Sequence, residues 1–290
     1  MERLPILSRR HSLKGLALLG AGFATAHLAQ PSSPALAKST KDIKDEDIFQ
    51  FALNLEYMEA EYYLRATTGK GIDASDVGPD AGKVTGGRKV PFENKAIRQF
   101  GEELAENELA HVRFYRKTLG SQAVSRPTID FDAGFAAAAK GAGLPDFDPF
   151  ANEMGFLLGG MLFEDVGVTA YAGAASLIKN KEFLDAAARI LAVEAYHMGM
   201  ARSHLYEMGD KAHKAANAIS TARDKLDGPD DKDQGIVRNG KANFVPNNEN
   251  GMVFTRTPQQ VLHIVYLTEK EGASSGGFYP KGMNGPLKST

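Results

Sequence analysis

The sequence contains no cysteine among its 290 residues. That absence excludes disulfides, iron–sulfur clusters and thiol chemistry, and it leaves aspartate, glutamate and histidine as the strong metal ligands. A large excess of charge is also missing, since the net charge is −2, so no basic surface favours nucleic acid. The remaining composition, 43% hydrophobic and 24% charged, is that of an ordinary globular protein with a full core.

Long apolar runs are scarce as well. The apolar stretch from Leu13 to Leu28 is shorter than the ~20 residues that a membrane helix needs, and glycines interrupt it. It lies within residues 1–37, which combine a basic start, an apolar middle and the small-residue end Ala35-Leu36-Ala37. This pattern predicts a signal peptide, and a mature chain that starts near Lys38 and has no membrane span.

The basic start of this segment, SRRHSLK at residues 8–14, resembles the twin-arginine export signal. It departs from that signal at Ser12, where an aromatic or bulky apolar residue is usual. An ordinary signal peptide with a chance pair of arginines is the alternative. We therefore expect a periplasmic or secreted protein, exported by the twin-arginine pathway, which moves folded proteins.

Four segments with helical apolar periodicity predict an all-α protein. They span about 45–67, 94–118, 151–178 and 181–208. Residues 120–150 join the second segment to the third, and they are long enough to cross from one end of a bundle to the other. Two helix pairs joined in this way form a four-helix bundle with one long crossover, which we predict for residues 38–208.

The C-terminal residues, 209–290, differ from the rest in composition. The stretch LDGPDDKDQGIVRNGKANFVPNNENG predicts a loop with a short strand or two. Thr257 followed by Pro258 predicts the start of a short helix that runs to Leu267, and a glycine-rich coil follows. Because this segment has too few apolar residues for its own core, we expect an irregular extension that wraps the bundle.

Two of the seven histidines lie in a repeated pattern. Glu108 precedes His111 by three residues in the second predicted helix, and Glu194 precedes His197 by three in the fourth. Residues three apart on a helix differ by about 60° around its axis, so both side chains reach one site. A lone histidine on an apolar face is usually an ordinary core residue, whereas the repeat indicates a pair of metal-binding helices.

One glutamate in each predicted helix has mainly apolar neighbours on its face. A buried carboxylate without a counter-charge costs several kcal/mol, and no arginine or lysine on these faces serves all four. Two divalent cations would balance four carboxylates, and two neutral imidazoles would complete the ligand set. We therefore predict two divalent metal ions, Fe or Mn, with the ligands Glu56, Glu108, His111, Glu164, Glu194 and His197.

Two tyrosines extend the repeat. Tyr63 follows Glu56 by seven residues, and Tyr171 follows Glu164 by seven, so both are catalytic candidates, with plain core aromatics as the alternative. Glu59 is the alternative to Glu56 as a ligand. The other polar neighbours are expected around the ligands or at the surface; they are Glu61, Asp165, His204 and Glu207.

This ligand set resembles that of the ferritin-like superfamily, in which one glutamate on each of two helices joins Glu-x-x-His on each of the other two. More narrowly, four segments are similar to the ferritin-like desiccation-related proteins of bacteria and plants. They are FALNLEYMEAEYYLRA, LDGPDDKDQGIV, FTRTPQQVLHIVY and GGFYPKGMNG. The resemblance covers about residues 45–285 and implies a ferritin-like bundle around a di-metal centre.

The expected function follows from this centre. Glu108 and Glu194 would bridge two metal ions that react with a small-molecule oxidant, peroxide or dioxygen, as in a catalase, peroxidase or ferroxidase. The alternative is a structural or protective protein of the cell envelope, in which metal is absent or only stabilises the fold. Carboxylate and imidazole ligands suit Mn, Fe and Zn alike, so they do not fix the metal. A homo-oligomer is compatible with the pattern.

Overall fold

The computed structural model describes residues 43–290 and contains seven α-helices in that range. They are α1 (Asp45–Thr68), α2 (Lys95–Leu119), α3 (Phe131–Ala142), α4 (Glu153–Ala175), α5 (Lys181–Glu207), α6 (Asp210–Asp224) and α7 (Pro258–Val265). Within the described residues, no helix combines the length and the apolar character that a membrane span requires. The predicted signal peptide and the predicted mature start near Lys38 lie outside these residues.

Asparagine side chains begin three of the four long helices. Asn94 Oδ1 accepts a hydrogen bond from Ala96 N at 2.8 Å at the start of α2. Asn152 begins α4 and Asn180 begins α5 in the same manner. Helix α1 ends just before Gly69, whose φ of +82° is a left-handed conformation that favours glycine. These local signals place the four predicted helices where the structure has them.

The four long helices form a bundle of two pairs. The α1 helix packs mainly against α2, and α4 packs mainly against α5. The rings of Phe49, near the start of α1, and Tyr115, near the end of α2, are 4.9 Å apart. Tyr62, near the end of α1, donates to Phe156 O near the start of α4 at 2.8 Å. Since α2 and α4 are both antiparallel to α1, the chain must return along the bundle between them, which confirms the predicted crossover.

The crossover contains an element that the sequence pattern did not predict, helix α3. Before it, strand β2 (Ile129–Asp130) pairs in parallel with strand β1 (Val84–Thr85) of the α1–α2 connection. Within α3, the Phe135 ring lies 5.5 Å from Phe163 of α4 and 5.0 Å from Phe278 of the C-terminal extension. The crossover is therefore packed against α4.

The extension contains the predicted short helix and one further helix, α6, that the sequence pattern did not predict. Helix α6 follows α5 almost directly and buries a mainly alanine face, which consists of Ala212, Ala215, Ala216 and Ile219. The short helix predicted from Pro258 is α7, and Thr257 Oγ1 caps it by accepting from Gln260 N at 3.3 Å. The predicted short strands are β3 (Val237–Arg238) and β4 (Lys241–Ala242), which form an antiparallel pair.

A buried ion network joins the extension to the bundle. Asp165 on α4 accepts from Arg202 on α5 at 2.9 Å and from Arg223 on α6 at 2.5 Å. Asp233 in the extension pairs with Arg223 at 2.6 Å and also with Arg256. All five side chains are buried. Asp165, which we expected near the metal ligands or at the surface, instead lies at the centre of this network.

Candidate metal centre

Six side chains from the four long helices converge inside the bundle, and they form two overlapping groups. In each group, one ligand atom per residue lies within 4.8 Å of all the others. The first group is Glu56, Glu108, His111 and Glu194, and the second is Glu108, Glu164, Glu194 and His197. Glu108 and Glu194 belong to both groups and so lie between them. All six predicted ligands thus come together, while their role as ligands stays a prediction.

One histidine nitrogen points into each group. His111 Nδ1 lies 3.1 Å from both Glu56 Oε2 and Glu108 Oε2. His197 Nδ1 lies 3.0 Å from Glu108 Oε1 and 3.4 Å from Glu164 Oε2. The four glutamates are at most 1% exposed. Each group therefore offers one imidazole, one carboxylate of its own and two shared carboxylates.

Several buried atoms of this centre have no hydrogen-bond partner. They are Glu108 Oε1, Glu164 Oε2, His197 Nδ1 and both carboxylate oxygens of Glu194. Buried polar atoms in proteins are nearly always hydrogen-bonded, so this concentration needs a cause. Carboxylate and imidazole atoms that face one another without bonding are arranged for a shared cation. The residues fit a pair of divalent metal ions.

The charges at the centre are strongly coupled. Burial raises the pKa of Glu56 to about 8, although His111 partly offsets it. Burial and neighbouring carboxylates raise the pKa of Glu194 well above its ordinary value. Burial also acts on Glu108, but His111 and His197 outweigh it and hold this pKa well below the usual range. Burial disfavours the charged form of His111, yet Glu56 and Glu108 raise its pKa to about 12. The metal-free centre therefore holds protons that metal binding must release.

The two predicted tyrosines cross between the halves of the repeat. Tyr63 of α1 donates to Glu164 Oε1 of α4 at 2.5 Å, and Tyr171 of α4 donates to Glu56 Oε1 of α1. Tyr115 of α2 lies 2.7 Å from the Tyr171 hydroxyl and extends that chain by one member. Tyr63 thus orients Glu164, and Tyr171 orients Glu56, so each of these two tyrosines holds a glutamate on the other helix.

The other polar neighbours have different positions. Glu56 belongs to the first group, whereas Glu59 is buried and belongs to neither. Burial, followed by the charge of Glu194, raises the pKa of Glu59 well above its ordinary value, so its carboxyl lies beside the centre. Glu61 is buried away from the centre and pairs with Arg65 at 2.8 Å and with Arg126. Arg65 lies one turn from Glu61 on α1, whereas Arg126 is 65 residues away on a loop, so the helical pattern gave no signal for that second partner.

The end of α5 and one residue of α2 complete the surroundings. His204 and Glu207 lie near the end of α5 and outside both groups. Asn107 Nδ2 is 3.2 Å from His197 Nε2, on the side of the ring opposite the carboxylates. Contacts of this kind orient metal-binding histidines. Sequence reasoning missed Asn107, and the available signal for it was its position next to Glu108 in the chain.

The chain is similar to known proteins over most of its length. The model of the ferritin-like domain family matches residues 44–207. The chain belongs to the ferritin-like domain family. This ferritin-like chain is similar to the "Ferritin-like catalase Nec2" of Nesocodon mauritianus, with 29% identity over 272 residues that cover 85% of each chain. It is also similar to the "Desiccation-related protein PCC13-62" of Craterostigma plantagineum, with 32% identity over 267 residues that cover 83% of each chain. No solved structure matches it.

Proposed function

We propose that this ferritin-like protein is exported and holds two divalent metal ions, Fe or Mn, with which it removes peroxide or reacts with oxygen. The observation that carries the proposal is the overlap of two carboxylate and histidine groups in a centre whose buried ligand atoms lack partners. The relative named as a catalase favours peroxide as the substrate. Protection against oxidative or desiccation stress would be the benefit to the cell.

The residues of the chain have distinct tasks in this proposal. When bound, two such metal ions supply a two-electron exchange with a small oxidant. Glu108 and Glu194 would bridge them, because both carboxylates belong to both groups. The Tyr63 hydroxyl fixes the Glu164 carboxylate by its hydrogen bond, and the Tyr171 hydroxyl fixes Glu56. The surrounding apolar core keeps bulk water away from these charges, which strengthens every ionic contact.

The decisive variant replaces both His111 and His197 by alanine. We expect it to lose bound metal and peroxide turnover together while the bundle remains folded by circular dichroism. His204→Ala is the matched control, because this histidine lies on α5 outside both groups and its loss should leave metal content unchanged. A wild-type protein that is purified from its native compartment without metal, and that stays inactive after Mn(II) or Fe(II) is added, would contradict the proposal.

The second candidate function is a structural or protective role without catalysis. The relative named for desiccation favours it, as does the buried ion network that secures the extension. In that case metal would be absent or would only stabilise the fold, and the wild type would show no turnover for the double histidine variant to lose.

The proposed export has its own test. Arg9→Lys combined with Arg10→Lys should leave the precursor in the cytoplasm, because the twin-arginine pathway depends on that pair. The N-terminus of the exported wild type should lie near Lys38. Normal export of the double variant would indicate the general secretory route.

A further inference from the structure

Helix α4 carries a glycine on either side of its metal-binding glutamate. Gly160 lies four residues before Glu164, and Gly167 lies three residues after it, so all three share one face of the helix. A Cβ atom at Gly160 would lie 3.0 Å from the Tyr63 hydroxyl, which donates to Glu164. The two glycines thus leave room for side chains that reach α4 from other helices.

The closest approach is at Gly167. A Cβ atom there would lie only 2.4 Å from Glu194 Oε2, a separation that real Cβ atoms essentially never show. Alanine at this position and the observed Glu194 carboxylate therefore exclude each other. The atom concerned is the far end of a flexible side chain, so the carboxylate can move away while both helix backbones remain in place.

Within the described residues, no hydrogen bond fixes that carboxylate, although His111 Nδ1 lies 3.6 Å from its Oε1 atom. Both Glu194 oxygens are buried and without a hydrogen-bond partner. Tyrosine hydroxyls orient Glu56 and Glu164, whereas Glu194 has no such donor. In the part of the chain that the structure describes, the Oε2 atom instead occupies the space beside Gly167.

The repeat within the chain makes this glycine conspicuous. The position three residues after Glu56 in α1 is Glu59, while the position three residues after Glu164 in α4 is Gly167. Glu59 Oε1 would lie 3.6 Å from a Cβ atom at Gly167, which is ordinary van der Waals contact. The space that a side chain at Gly167 would fill is therefore occupied by the carboxylates of Glu59 from α1 and Glu194 from α5.

We propose that Gly167 is a positioning residue of the metal centre, whose missing side chain holds the Glu194 carboxylate in the place shared by both ligand groups. This inference rests on the proposed function, since it requires that the centre binds metal. Gly167 acts only through Glu194. Its replacement changes how a bridging carboxylate meets the ions without changing the number of ligands.

The test compares Gly167→Ala with Gly199→Ala. Gly199 lies in α5, and a Cβ atom there would meet nothing within 4 Å, so it is the matched control for a helical glycine. We expect Gly167→Ala to weaken the binding of Mn(II) by about 10–100-fold in a calorimetric titration. Its Co(II)-loaded form should show altered visible absorption bands. Metal-free Gly167→Ala should melt no lower than the wild type, since alanine favours a helix over glycine. Gly199→Ala should keep wild-type affinity and spectrum.

A double variant shows whether the effect passes through the carboxylate. In a Glu194→Ala background, Gly167→Ala should cause no further loss of Mn(II) affinity, because coupled residues are not additive. If Gly167→Ala alone does not fold, the double variant must fold, since it lacks the clashing group. Wild-type affinity and an unchanged Co(II) spectrum in Gly167→Ala would overturn the inference, as would additive losses in the double variant. A wild type that binds no metal would overturn the proposed function instead.

Discussion

Glutamine in place of Glu194 should separate the metal-dependent stability of the protein from the stability of its fold. The Glu194 carboxyl is buried, lacks hydrogen-bond partners and has a raised pKa. In the metal-free protein it therefore carries a proton, and glutamine closely resembles that neutral form. We expect Glu194→Gln to leave the metal-free melting temperature nearly unchanged and to remove most of the increase that metal causes.

The magnitude follows from mass action. Each ion that binds only the folded state, at 100 times its dissociation constant, adds about 2.7 kcal/mol to the free energy of unfolding. Two ions add about 5 kcal/mol, and a domain of this size gains about 2–4 °C in melting temperature per kcal/mol. The wild type should therefore melt about 10–20 °C higher with Mn(II) or Fe(II) than after chelation. Mg(II) should largely fail to restore the loss, because imidazole ligands suit it poorly.

The assay is a thermal melt of each protein with chelator and with added metal, together with elemental analysis to establish that chelation removed the metal. Glu61→Gln is the matched control. Glu61 is equally buried, but its carboxylate pairs with Arg65 and Arg126. Breaking a buried pair costs about 3–5 kcal/mol, so this variant should melt lower in both states while its metal-dependent increase persists. An unchanged wild-type melt after metal loss would refute the reasoning, as would a Glu194→Gln variant that keeps the full increase.

Three further results are expected. Between about pH 5 and pH 8, the metal-free protein should lose stability as the pH rises, by about 1.4 kcal/mol per pH unit for each proton held only by the folded state. The folded-state pKa is about 8 for Glu56, about 12 for His111 and about 11 for His197. These groups keep protons that the unfolded chain releases near pH 4.5 for glutamate and 6.5 for histidine. Urea melts that show rising stability would contradict this. Tyr171→Phe should retain metal by elemental analysis but lose about 10–100-fold in peroxide turnover, since it removes the donor to Glu56, and unchanged turnover would make this tyrosine a plain core residue. Asp165→Asn should lower the free energy of unfolding by about 3–5 kcal/mol while the folded variant binds the same number of metal ions, and an altered stoichiometry would show that the ion network reaches the centre.

The parts of the structure that depend on local pattern were predictable. The four long helices have strong apolar periodicity, three of them have asparagine caps, and their observed bounds follow the predicted ones closely. The convergence of Glu108 with His111 was predictable as well, because both lie on one helix face. Helix α3 was missed because it is short, rich in alanine and enclosed by glycine and proline. Helix α6 was missed because its buried face consists mainly of alanine, which does not mark an apolar stripe.

Contacts between residues far apart in sequence were not predictable from one chain. The partners of Asp165 lie 37 and 58 residues away along the chain, on α5 and α6. Glu61 pairs with Arg126 across 65 residues, through a loop whose position depends on the whole fold. The space above Gly167 depends on the distance between α4 and α5, which no periodicity encodes. The apolar face of a helix thus depends on its local sequence, whereas the residues that pack against this face depend on the tertiary structure.

The ion network around Asp165 shows that the part of the chain that must fold together is larger than the part that the family model matches. The family match stops at residue 207, at the end of α5, yet Arg202 within it donates to the backbone of Gln234 and Asn243 beyond it. A chain cut at residue 207 would expose the buried charges of Asp165 and Arg202. It would also lose helix α6, which covers part of α4. Any transplanted or minimised version of this bundle must therefore carry its C-terminal residues with it. An insertion is better tolerated near the exposed Met252, in the middle of the extension, than at residue 207.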